Sequence, residues 1–332
     1  MPHRALLGAA RALSCDRVSA EVIGAMQGAD IETILLKGPS IARWLYPRGG
    51  RSYIDTDILV PACDVDHAAG VLRSLGFTDL LAGFHPRELD TRPAEITFVR
   101  RAESGQGPDG LVDLHHNLPG LPVPSTVLWQ AFSADTETMR IGGVNAQVAG
   151  RTALALHIVL HAVQHGFHGH TREDLSRAIA VLSADDWRDA AELAGRLGVA
   201  DVLGAGLRSQ AAGAEVADRL RLPGSSLAGS LFWPRLAPRG AASVAEFWSP
   251  STLRQKADQI HRVLLPSPAK IRYVSGSRGR SLLPGYARWW RDLALAAAPA
   301  VRHAGGRRRL ARGAAPPGDG PPATFPIEKD LS

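Results

Sequence analysis

The order of apolar and polar positions divides the chain into two parts with different periodicity. Residues 5–28 repeat apolar side chains at helical spacing and predict a helix. "IETILLKG" (31–38) reads as a short strand ending in glycine, and "PSIARWLYP" as one or two helical turns between Pro39 and Pro47. "YIDTDILV" (53–60) alternates, with Ile54, Thr56 and Ile58 on one side and Asp55, Asp57 and Leu59 on the other; Pro61 ends this strand. "DVDHAAGVLRSLGF" predicts an amphipathic helix with Asp64 as N-cap and Gly76 just past its end. "AEITFVRR" and "LVDLHHNL" read as strands on either side of the polar loop "AESGQGPDG". Helices and strands mixed in this way predict an α+β half. From Thr152 the pattern is helical throughout, in "TALALHIVLHAVQHGF", "REDLSRAIAVL", "DDWRDAAELAGRLGV" and "ADVLGAGLRSQAAGA", with Ser183 placed to cap the third. Beyond residue 303 Gly, Pro and Arg dominate without a core-forming pattern, and a disordered tail is expected. The reading therefore divides the chain into 1–150 (catalytic), 151–265 (helical), 266–302 (basic) and 303–332 (tail).

Composition narrows the class. With 332 residues, 45% of them apolar, the chain can bury one large core or two ordinary ones. Its two cysteines, Cys15 and Cys63, make neither a disulfide framework nor a Cys-based zinc site, and a cytoplasmic setting is expected. The N-terminal apolar stretch is interrupted by Arg11 and reads as a helix rather than a signal peptide. No apolar run is long enough to predict a transmembrane helix. The net charge of +6 conceals an asymmetry: residues 254–312 carry fourteen Lys and Arg against two acids. With Tyr286, Trp289 and Trp290 among them, an anionic partner, RNA or a membrane surface, is one reading of this segment. A solvated basic face is the other. Leu282, Leu283, Leu293 and Leu295 give it an apolar side that is expected to pack against the helical part.

The chemistry concentrates in "LLKGPSIARWLYPRGGRSYIDTDILV" (35–60). Asp55 and Asp57, two residues apart on a strand, share a face and repel each other unless a cation lies between them. Hard oxygen donors suit Mg²⁺, whose remaining ligands are waters and phosphate oxygens. Asp113 in "LVDLHH" is the acid in a strand context nearby that would complete a two-metal site for phosphoryl transfer. Upstream, Gly38 allows close backbone approach to a triphosphate, Ser40 offers a hydroxyl, and Lys37 or Arg51 adds positive charge.

The same string resembles the uncharacterised nucleotidyltransferase family of the DNA polymerase β-like superfamily: Leu-Lys-Gly, a helix ending in Tyr-Pro, an Arg, then Asp-x-Asp and an apolar run. More distantly it is similar to nucleotidyltransferase toxins with Lys-Gly and Arg-x-x-x-Asp-x-Asp. The resemblance continues through "HAAGVLRSLGF", "VDLHHNL", "LHIVLHAVQHGFHGHTREDL" and "LLPSPAKIRY". It implies a polymerase-β-like palm, a small mixed sheet with helices, followed by an all-α domain. It implies transfer of a nucleoside monophosphate from an NTP to an acceptor, with two Mg²⁺ ions. Asp55, Asp57 and Asp113 would hold metal, and Gly38 and Ser40 the phosphates. Pro39 stands where the superfamily often has a second Gly or Ser, which removes one backbone N–H donor. A toxin-like enzyme acting on tRNA, and an inactive nucleotide-binding scaffold, are the alternative readings.

His157, His161 and His165 recur every four residues along one helix face. Zinc binding, a buried polar contact and an active-site role all accommodate this spacing. In the last, which the resemblance includes, His161, His165 and Asp174 position the acceptor or a phosphate.

Overall fold

The computed structural model describes residues 2–80, 94–101, 108–119, 121–167, 169–224, 264–268, 271–272 and 282–295. The expected disordered tail, Arg278, Arg280 and Arg307 to Arg309 lie outside them.

A seven-stranded mixed sheet organises the first part. Its strands are β1 (Ile34–Leu35), β2 (Thr56–Leu59), β3 (Thr78–Asp79), β4 (Glu95–Arg101), β5 (Pro108–His115), β6 (Thr136–Ile141) and β7 (Val144–Ala149), in spatial order β3-β4-β5-β2-β1-β7-β6. β2 runs parallel to β5 and β1 parallel to β7, while the other pairs are antiparallel. The helices before residue 150 are α1 (Pro2–Gly28), α2 (Pro39–Leu45), α3 (Val65–Ser74) and α4 (Ser125–Ser133). Those after it are α5 (Arg151–Gln164), α6 (His170–Val181), α7 (Ala184–Arg196), α8 (Ala200–Leu207) and α9 (Ala211–Arg219).

Strand alternation assigns each face of the sheet its own core. Leu35, Ile58, Val60, Val112, Leu114 and Val148 pack with Val22, Ile23 and Met26 of α1 and with Ala68 and Leu72 of α3. Ile34, Leu36 and Leu59 turn the other way and join Leu128, Phe132, Leu156, Val159 and Trp187 in a core that continues through α5, α7 and α8. Asp57 and Asp113 lie between residues of the first set in their strands, so they face the side of α5. α8 approaches α5 closely at Gly206, where a Cβ would stand 2.4 Å from Val159 Cγ1.

Several local expectations change. The second strand is shorter than 53–60, and Asp55 stands one residue before β2. The single helix read over 200–214 is two, α8 and α9. The hairpin β6–β7, α4 and β3 are additional to the predicted elements. Asp64 is the N-cap of α3 but makes no side-chain cap hydrogen bond; Gly76 follows that helix at φ +82°. Ser183 does cap α7: its Oγ accepts from the Asp186 N–H at 3.1 Å, and Asp186 Oδ2 accepts from the Ser183 N–H at 2.8 Å. Ser183→Ala is expected to cost about 1 kcal/mol. A thermal melt should show a small loss with unchanged catalysis, since α7 carries none of the candidate site residues.

The basic segment departs furthest from expectation. A helix over 283–295 is held by Tyr286 Oη donating to the Pro266 carbonyl at 2.7 Å and Trp290 Nε1 donating to the Leu264 carbonyl at 2.9 Å. Leu282, Leu293 and Trp289 are half-buried, while Leu283 and Leu295 remain 79% and 71% exposed, so the apolar side is packed only in part. No described helix is long and apolar enough to cross a membrane.

Candidate active site

α1 positions the acidic stretch. Cys15 Sγ donates to the Asp55 carbonyl at 3.2 Å, Tyr53 Oη donates to Asp16 Oδ1 at 2.7 Å, and Ser19 Oγ and Thr56 Oγ1 share a hydrogen bond of 2.8 Å. Three contacts from little more than one turn of α1 thus fix residues 53–56 before β2 begins. Parallel pairing then sets Asp57 directly beside Asp113. Ligand oxygens of Asp55, Asp57 and Asp113 all lie within 4.8 Å of one another.

Their environments differ. Asp57 is 2% exposed; burial alone would raise its pKa, but Lys37 and His115 outweigh that and hold the carboxyl well below the usual carboxylate range. Lys37 Nζ lies 2.7 Å from Asp57 Oδ1, and His115 Nε2 lies 3.3 Å from the same oxygen. Asp55 and Asp113 shift the opposite way, raised by burial and then by the charge of Asp57. Two carboxyls reluctant to ionise beside a third that is ionised form an oxygen-only donor set whose repulsion a divalent cation would relieve. The three residues fit Mg²⁺ on that ground.

Support comes from β4. Thr97, paired across the antiparallel ladder with Asp113, donates its hydroxyl to Asp113 Oδ1 at 2.7 Å. Glu95, paired with His115, brings Oε2 to 3.6 Å from His115 Nδ1. Neither Thr97 nor His115 is singled out by the sequence reading, because their roles depend on strand register.

The Lys37–Gly38 turn and the histidine helix meet the acids through Lys37, whose Nζ is also 3.2 Å from His161 Nε2. Burial first and then Lys37 depress the His161 pKa. The ring of His165, the C-cap of α5, lies with its centroid 4.3 Å from that of His161 and tilted by 55° to it. Gly38 adopts φ +68° and ψ −110°, a conformation closed to other residues, with Tyr53 directly against it. Ser40 is fully buried and its hydroxyl donates back to the Lys37 carbonyl at 3.3 Å, bracing the turn.

Arg51 and Asp174, read separately as phosphate and acceptor groups, engage each other. Arg51 Nε and Nη2 donate to the two Asp174 oxygens at 2.9 and 2.8 Å, and Tyr46 Oη donates to Asp174 Oδ1 at 2.7 Å. This buried pair ties the segment before the acids to α6.

A search of curated proteins finds no match. Among solved structures the chain is similar to an antigenic nucleotidyltransferase-like protein from Paracoccidioides brasiliensis, at 12% identity and a TM-score of 0.36, covering 63% of this chain and 93% of that one. It is likewise similar to the antibiotic-resistance factor ANT(2'')-Ia, at 14% identity and a TM-score of 0.36, covering 53% of this chain and 89% of that one. The sequence profile of the uncharacterised nucleotidyltransferases matches residues 3–212, well over half of the chain and all of the site built above, and the chain belongs to that family of enzymes.

Proposed function

We propose that this nucleotidyltransferase transfers a nucleoside monophosphate from an NTP to an acceptor hydroxyl or phosphate and releases pyrophosphate. The observation that carries the reading is the convergence of Asp55, Asp57 and Asp113 within 4.8 Å beside the Lys37–Gly38 turn. These three carboxylates are the ligands for Mg²⁺, which supplies charge neutralisation on the transferring and leaving phosphates when bound. The Gly38 turn receives the triphosphate, and Lys37 adds positive charge behind it. Ser40 braces that turn, and Arg51, held by Asp174, sets the approach to the acids while adding positive charge near Asp55. The acceptor oxygen attacks the α-phosphorus as the bond to pyrophosphate breaks. Asp113, whose Oδ1 is steered by Thr97, takes the acceptor proton. His161 and His165 line the side from which an acceptor would be positioned. Catalysis is then mostly orientation and fixed charge.

The test is direct. The full chain is incubated with Mg²⁺ and each α-labelled NTP, with and without small hydroxyl acceptors, peptides, polysaccharides and tRNA, and pyrophosphate release and label transfer are followed. At least one NTP should give Mg²⁺-dependent pyrophosphate, and Mg²⁺ with that NTP should raise the melting temperature. No release and no thermal shift with all four would overturn the reading in favour of an inactive scaffold.

A further inference from the structure

Three carboxylates gathered in one place need positive charge among them, and here a side chain already brings it. Lys37 has 12% of its side chain exposed, stands 2.7 Å from Asp57 Oδ1 and contacts His161 Nε2 at 3.2 Å. An ammonium has three N–H donors and no acceptor, so His161 Nε2 accepts and the imidazole carries its proton on Nδ1. Behind His161, the His157 ring stacks at 5.9 Å and 13°, and both of its ring nitrogens are buried without a hydrogen-bond partner. Buried polar atoms left unpaired are uncommon and costly. Lys37 therefore sits at a boundary, with an ionised acid on one side and acceptor capacity on α5 on the other.

A divalent ion on Asp57 and an ammonium at 2.7 Å on the same oxygen would repel each other strongly in so enclosed a place. We infer that Lys37 is a resident counter-cation, which balances Asp57 in the metal-free protein and withdraws toward the imidazoles of His161 and His157 when a divalent ion binds. The inference rests on the reading of Asp55, Asp57 and Asp113 as metal ligands. It makes Lys37 and His161 positioning residues for metal entry, and it gives the acceptor nitrogen of the His157 ring a use.

Titration of the full chain with Mn²⁺ alone, followed by calorimetry, separates the two ideas. Lys37→Met removes the competing charge and should bind Mn²⁺ at least about tenfold more tightly than the unaltered protein, equivalent to about 1.4 kcal/mol. His161→Leu removes the seat to which the ammonium withdraws and should weaken Mn²⁺ binding about threefold or more. In the Lys37→Met background the same change should have no effect. Asp57→Asn serves as the control and should remove binding. If Asp57→Asn leaves Mn²⁺ affinity intact, or if neither the unaltered protein nor Lys37→Met binds Mn²⁺, the metal-site reading itself falls. If Asp57→Asn removes binding but Lys37→Met binds no tighter, the metal site stands and the counter-cation does not. Should Lys37→Met fail to fold without metal, His161→Leu decides alone, and an unchanged affinity there overturns the inference.

Discussion

Asp55→Asn is expected to reduce Mg²⁺-dependent nucleotidyl transfer by about a thousandfold, the several kcal/mol that metal-borne charge stabilisation supplies, without lowering the melting temperature. The second half of this expectation follows from electrostatics. Burial and the neighbouring Asp57 raise the Asp55 pKa, so its ionised form opposes folding in the absence of metal. An amide of the same shape removes that opposition. For the same reason Asp55 and Asp113 each contribute stability to the metal-free protein as pH falls through their raised range, against an opposing loss from the buried imidazoles of His157 and His161, which stay neutral while those of the unfolded chain take up protons; the pH dependence of the melting temperature in Asp55→Asn should lack the Asp55 part. Asp57→Asn should be equally inactive but less stable, because it leaves the buried Lys37 ammonium without its 2.7 Å partner. Stopped-assay turnover and thermal melts of both variants check this. Substantial residual transfer by Asp55→Asn would remove it from the metal site.

The largest stability effect is expected at Asp174. Its side chain is 2% exposed and that of Arg51 7%, and the two share a two-point ion pair that Tyr46 completes. Arg51 Nη1 has no further partner in its buried surroundings. Asp174→Ala strands the guanidinium, and breaking a buried pair in this way costs about 3–5 kcal/mol. In a protein of this size that lowers the melting temperature by on the order of 10 °C. Arg51→Met/Asp174→Leu should lose much less than the two single changes together, since neither charge is then left alone. A loss of only a degree or two in Asp174→Ala would mean that the ion pair forms no part of the stable core.

These two predictions differ in how far the sequence foretells them. The acids are legible because alternation in a strand is a local property: Asp55 and Asp57 flank Thr56 and so share a face. Asp113 is legible only as an acid in a strand; that it lands beside Asp57 depends on β2 and β5 being parallel neighbours. Thr97 and His115 need one further pairing, β4 against β5, before they reach the carboxylates. Arg51 and Asp174 each carry a plausible ligand role when read alone. Their mutual engagement comes from packing between segments far apart in sequence, which no local pattern encodes. The β6–β7 hairpin is a different case, because its signal is present in "MRIGGVNAQV". Gly142 and Gly143 both take positive φ, as a tight two-residue turn between strands requires. The missed burial pattern of the basic helix also has a physical cause. An apolar side shows that a segment has something to bury, but not how much of it is covered: Leu282 and Leu293 are half-buried, and Leu283 and Leu295 are exposed.

The parallel pairings have a kinetic consequence. Leu35 meets Val148, and Asp57 meets Asp113, only after long stretches of chain have closed. Loop closure of this kind is paid before the contacts it permits are gained, which slows folding and places these pairings late. The carboxylates are therefore kept apart for most of the path and crowd together only near its end. Repulsion that would hinder an early intermediate falls instead on the native basin, beyond the last barrier, and divalent ions present during refolding should act mainly by slowing escape from that basin rather than by hastening entry.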